Sequence, residues 1–199
     1  MKWLFLLISL QTFASSLKYC PHQTNFLEIK EMTLDMAKVD YPDLYPLLVN
    51  KTIIFHEFES QDYFFKVFIK QVLKSMTMIN KDKWKYRLDI NKNIYNCSPS
   101  KEALTAILSH ELGHIEDMVN MKKKKQFIAL GLKILTRKKF NEKYEKETDL
   151  KAIKRGHTEG LIAYRNWIYK NIPKKKLTKK MRIYYTPEQL REISHSLKK

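Results

Sequence analysis

The feature that most constrains this chain is the pentapeptide His110-Glu111-Leu112-Gly113-His114. Residues four apart on a helix lie one above the other, so a helical reading sets two imidazoles on one face with the Glu111 carboxylate beside them. Such a face is half of a hydrolytic metal site, and any fold that carries it must bring a further donor from elsewhere. The surroundings support the helix. Leu104, Ile107, Leu108, Ile115 and Met118 carry its buried side, and Ser98-Pro99 offers an N-cap followed by proline at the first helical position.

The further donor is sought in a second acidic cluster, Tyr144-Glu145-Lys146-Glu147-Thr148-Asp149, inside a helical stretch that continues through Ala152, Ile153 and Gly156. Glu142, Glu145 and Glu147 are candidates by type. Only Glu145 has an acid one turn later on its own face, at Asp149. That pairing matters because a metal-bound histidine usually donates its free ring N–H to a carboxylate, which fixes the tautomer and strengthens the ligand. Glu145 is therefore expected to bind the metal and Asp149 to orient a histidine, while Glu147 points off the shared face into solvent.

The rest of the chain reads as α+β with helices dominant, and 199 residues with 44% hydrophobic content are most economically one domain. Ile29, Met32, Met36 and Val39 share a helical face that should end near Tyr41-Pro42. Thr52 to Phe58 is rich in strand formers. Ser60 is placed to cap a long amphipathic helix with a buried stripe of Phe65, Phe68, Ile69, Val72, Leu73, Met76 and Ile79. Trp84, Tyr86, Leu88 and Ile90 alternate with Lys85, Arg87 and Asp89, the pattern of a strand with one oily and one charged face. Residues 126–135 form an apolar run with basic flanks. It is too short to span a bilayer, and the reading as a short buried helix with solvated ends is preferred to that of an interfacial element. Thr186-Pro187 with Glu188 starts a last helix over 187–197.

The N-terminus reads as a signal peptide over 1–16, with Lys2, an apolar run from Trp3 to Phe13 and the small residues Ala14-Ser15-Ser16, so export to the periplasm or the medium is expected. Export permits a disulfide between the only two cysteines, Cys20 and Cys97. The formal charge of +17 favours anionic partners, such as a membrane or envelope surface. No nucleic-acid-binding motif accompanies it, so nucleic acid is not an expected partner.

His110-Glu111-Leu112-Gly113-His114 followed by Glu145-Lys146-Glu147-Thr148-Asp149 resembles the gluzincin metallopeptidase pattern, H-E-x-x-H and then E-x-x-x-D on a second helix. It is closest in style to the minigluzincins and to the soluble catalytic core of the HtpX and CAAX prenyl protease group, over residues 84–165. The resemblance implies a zincin-like domain over 17–199, with 17–50 as an N-terminal helical extension and 84–165 as the catalytic core. It implies one Zn2+ held by His110, His114 and Glu145, Glu111 as general base, and a peptide or protein as substrate. An edge strand over Tyr86, Arg87, Leu88, Asp89 and Ile90 would pair with that substrate. His157, Tyr164 and Arg165 are candidates to stabilise transition-state charge. The function expected is an exported zinc endopeptidase; the alternatives are an inactive zinc-binding relative and a cationic envelope or membrane-surface protein.

Overall fold

The computed structural model describes residues 19–60, 63–69, 84–121 and 123–197. The expected signal peptide, Lys122 and the second half of the helix expected after Ser60 lie outside the described residues.

Helix α1 (Phe26–Asp40) starts at Asn25, whose side chain accepts the Glu28 amide at 3.0 Å. Its buried residues are Ile29, Thr33, Met36 and Ala37. Val39, expected on that face, is 78% exposed, because the buried stripe steps from Ala37 to Tyr41 and leaves Val39 on the far side. A short α2 (Tyr45–Val49) leads into strand β1 (Ile53–Phe58). Where a helix was expected, Phe65–Ile69 forms strand β2. The five residues contain two phenylalanines, a valine and an isoleucine, and Phe65, Val67 and Ile69 satisfy a two-residue period as well as the stripe satisfied a helical one.

Strand β3 (Tyr86–Asn91) completes a three-stranded sheet in the order β1-β3-β2, parallel to β1 and antiparallel to β2. This corrects the expectation of an edge strand over residues 86–90. With a neighbour on each side and both faces covered, Leu88, Asp89 and Ile90 are all buried in succession. Asp89 is no surface charge either: Arg87 Nε lies 2.6 Å from its Oδ1.

After β3 the chain crosses to α3 (Lys101–Asn120). The cap is Ser100, whose hydroxyl accepts the Ala103 amide at 3.3 Å; Ser98 instead donates its backbone N–H to His22 O at 2.9 Å. That bridge sits beside the disulfide between Cys20 and Cys97, whose Cα atoms are 4.4 Å apart. Then follow α4 (Lys124–Thr136), α5 (Lys138–Lys154), α6 (Thr158–Asn171), α7 (Lys174–Ile183) and α8 (Pro187–Leu197). Gly156, at φ +89°, makes the left-handed turn that ends α5 and redirects the chain into α6. Helix α8 starts at Pro187 as the sequence predicts, and Thr186 and Gln189 cap it reciprocally.

Helix α3 is the axis of the fold, packed by α1, α5, α6 and β2. Leu104, Ile107, Leu108, Ile115 and Met118 are all buried, as expected. The closest approach is that of α6: a Cβ added at Gly160 would stand 2.5 Å from the Glu102 carbonyl oxygen and 2.6 Å from the Ala106 Cβ. On the α5 side, a Cβ at Gly113 would meet Thr148 Cγ2 at 3.1 Å. The glycine inside the His-Glu motif thus lets the two motif helices close on each other.

Candidate metal centre

The close approach of α3 and α5 brings three donors together. His110 Nε2 and His114 Nε2 are 3.1 Å apart, and each is 3.2 Å from Glu145 Oε2. An ion with four tetrahedral ligands at about 2.0–2.1 Å sets its donors about 3.3 Å apart, so this triangle has the dimensions of a metal-binding face. The three residues form a group that could hold a metal ion.

The neighbouring groups fix how the donors present themselves. His110 Nδ1 lies 2.8 Å from Asp149 Oδ1, and Asp149 is fully buried. Donation of Nδ1–H to that carboxylate leaves the Nε2 lone pair facing inward. His114 is set by a residue that sequence reasoning missed. The Thr148 hydroxyl donates to Tyr144 O at 3.0 Å, so its oxygen is left to accept from His114 Nδ1 at 3.3 Å. Both imidazoles therefore turn bare lone pairs towards the Glu145 carboxylate. Three electron-rich donors at such separations repel one another unless a cation lies among them, which is the chemical reason the set fits a metal.

Asp149 is itself held. Arg165 donates to both carboxylate oxygens, at 2.8 and 3.0 Å, and the Tyr185 backbone N–H reaches Oδ2 at 3.3 Å. Arg165, a candidate for stabilising transition-state charge, is thus a positioning residue that acts through Asp149 and His110. His157, another such candidate, is outside the site: its Nε2 is 2.7 Å from Asp40 Oδ2, where it ties the start of α6 to the end of α1. Tyr164 is buried and stacks on Trp167. Loss of solvent raises its phenol pKa, Arg165 opposes this, and the nearby Glu111 charge adds to the rise. Glu142 pairs with Arg182 at 2.7 Å and Glu147 is exposed beside Lys143, so neither competes for the metal.

Glu111 is buried, and no hydrogen bond among the described residues reaches its carboxylate. Burial raises its pKa, against the pull of His114 and His110. For Glu145 burial also disfavours the charge, yet His114 and His110 outweigh it and hold the carboxyl well below its usual range. In His110 burial opposes protonation, but Asp149 and Glu145 overcome it and lift the imidazole to about 9. Proton and metal therefore compete for the same lone pairs.

The C-terminal helices roof the site, which no local pattern in a basic run could have foretold. The Tyr184 ring lies 5.9 Å from that of His110 and stacks under the Arg165 guanidinium at 4.5 Å. Lys180 is half-buried, with its ammonium 5.3 Å from the Tyr184 ring centre and 5.4 Å from that of Tyr63. Loss of solvent and the Arg165 charge lower its pKa to about 8, although Glu145 and Glu111 favour its charged form. On the other flank, the Tyr144 ring packs 4.9 Å from that of His114 and borders a cavity of about 520 Å3 shared with Asp117, Met121, Leu130, Leu150 and Lys151. Comparison of the chain with protein-family models, curated proteins and solved structures gives no match, so the functional reading rests on this chain's own residues.

Proposed function

We propose that this chain is a zinc-dependent endopeptidase, as its resemblance to gluzincins implies. The observation that supports the reading is the pairing of the His110-His114-Glu145 triangle with a buried Glu111 that has no hydrogen-bond partner among the described residues. A structural metal site has no use for a further, unpaired carboxylate beside its three donors. A zinc ion held by the three donors would supply Lewis acidity, making water acidic near neutral pH and polarising a carbonyl. Glu111, with its pKa raised by burial, takes the proton from the attacking water and passes it to the departing amine. Arg165 and Asp149 keep His110 in the tautomer that binds metal, and Thr148 does the same for His114.

The substrate strand is reassigned to β2. It stands last in the described sheet order, and Tyr63, two residues before it, faces Lys180 at the site. An extended peptide added there would run past the donors, held by main-chain hydrogen bonds. Lys180, whose ammonium feels the charges of Glu111 and Glu145, is the donor for charge developing on the carbonyl oxygen.

The test is digestion of an unstructured protein by the zinc-loaded chain beside its Glu111→Gln variant, with fragments identified by mass spectrometry. Fragments from the wild type alone are expected. Fragments from both, or from neither at equal zinc content, would remove the assignment of Glu111 and the peptidase reading with it.

A further inference from the structure

Helix α4 carries five Leu or Ile residues and a Phe beside the site, yet none of its residues whose exposure is described is buried. Its inward side is anchored: Phe127 packs edge-on against Trp84 at 5.7 Å, and Leu130 lines the cavity next to Tyr144 and Leu150. The opposite side should be polar if water were its only neighbour. Instead Ile128, Leu132 and Leu135, at i, i+4 and i+7, make an apolar stripe, with Leu132 57% and Leu135 84% exposed. This corrects the expectation of a short buried helix.

The charges around the stripe identify its partner. Between Met121 and Asn141 the chain has eight Lys or Arg and no Asp or Glu. Among the described residues, Lys123, Lys125, Arg137, Lys138 and Lys139 form no ion pair. An apolar stripe on a single helix with basic residues at both ends is the pattern of an element that lies in the head-group region of a bilayer. Thirteen residues span about 20 Å, short of a hydrocarbon core, so the helix would lie along the membrane rather than cross it. A second copy is disfavoured as the occupant, because it would set two such basic clusters against each other on chains of formal charge +17.

We infer that α4 docks the protein on an anionic lipid surface through Ile128, Leu132 and Leu135, with the flanking Lys and Arg on the head groups. Since Leu130 and Tyr144 line one cavity and Tyr144 packs on His114, docking sets the candidate metal centre close to that surface. The inference stands apart from the peptidase reading and is tested without activity. The purified chain is sedimented with vesicles of phosphatidylcholine alone and of phosphatidylcholine with roughly 30 mol% phosphatidylglycerol, at low and high salt. Binding to the anionic vesicles only is expected, weakened by salt, and weakened at least about tenfold in Leu132→Ser/Leu135→Ser. Circular dichroism and zinc content of that variant should match wild type, since both side chains face outward. Anionic binding that the variant retains in full would mean bulk charge rather than α4, and would overturn the inference. So would an absence of vesicle binding, or a wild-type dimer that the variant abolishes.

Discussion

Helices α4 and α5 are neighbours in sequence and in space, and their placement inverts what hydropathy alone would suggest. Helix α4 is rich in leucine and isoleucine and has no buried residue among those whose exposure is described, whereas α5 is crowded with Lys and Glu and sends Thr148 and Asp149 into the centre of the molecule. The difference lies in partners. Asp149 is satisfied by His110, Arg165 and the Tyr185 amide, and Thr148 by His114 and Tyr144 O, so their burial leaves no polar atom stranded. The outward leucines of α4, Leu132 and Leu135, are covered by no element among the described residues. Polar residues with a complete set of partners can be more deeply placed than apolar residues without a surface to cover.

The largest effects should come from breaking the α5 side. Glu145→Ala removes one of three donors and should abolish tight zinc binding, measured as metal retained after dialysis, while Glu147→Ala should retain wild-type zinc. Equal retention in both would overturn the ligand assignment. Asp149→Asn keeps the shape but loses the carboxylate that orients His110 and pairs with Arg165, and should weaken zinc affinity by roughly tenfold to a hundredfold. A wild-type affinity in that variant would mean that the buried bridge orients nothing.

How much of this was legible in the sequence differs from residue to residue for physical reasons. The helix carrying His110 and His114 and the face shared by Glu145 and Asp149 follow from helical periodicity, which is local. The partners of Asp149 do not, because Arg165 and Tyr185 reach it only once α6 and the C-terminal segment have folded back. Thr148 was invisible among polar neighbours, since its role depends on a hydroxyl bonded to two other residues. Alternation in Tyr86 to Ile90 correctly marked a strand but carried no information on how many neighbours it has, so the central place of β3 was missed. Phe65–Ile69 fitted either period, and only its pairing with β3 decides for the strand.

Next in size is the close packing that holds the motif helices. Gly160→Ala would press a methyl against the Glu102 carbonyl and the Ala106 side chain, both on α3, and should cost about 1–3 kcal/mol in a denaturant titration. Unchanged stability would mean that α6 can lift off α3 without disturbing the core.

A smaller effect, opposite in sign for two forms of the protein, is expected from pH. In the metal-free chain His110 is raised from its ordinary 6.5 to about 9, so its contribution to stability is full below about pH 6.5 and is lost as the pH rises through 9. Glu145 and Asp149 are lowered from 4.5 and 3.8, so theirs is full above those values and fades as the pH falls further. The metal-free melting temperature should thus be highest between about pH 4.5 and 6.5 and decline towards 9. Zinc affinity should rise over that same decline, because the ion needs the imidazole that the proton vacates. Parallel trends in the two measurements would contradict the competition.

The smallest effect should be found on α4, and its smallness is the point. Leu132→Ser/Leu135→Ser removes two leucines from an apolar helix, yet their side chains are already in water in the folded chain, so folding loses little burial when they go. The change in unfolding free energy should stay within about 0.5 kcal/mol, as for substitutions on an ordinary surface. A loss of several kcal/mol would place these leucines in a core of the folded protein and remove the contrast with α5. Near-neutral stability would leave solvent, or a surface that the protein meets, as the only setting in which the apolar stripe can have an energetic consequence.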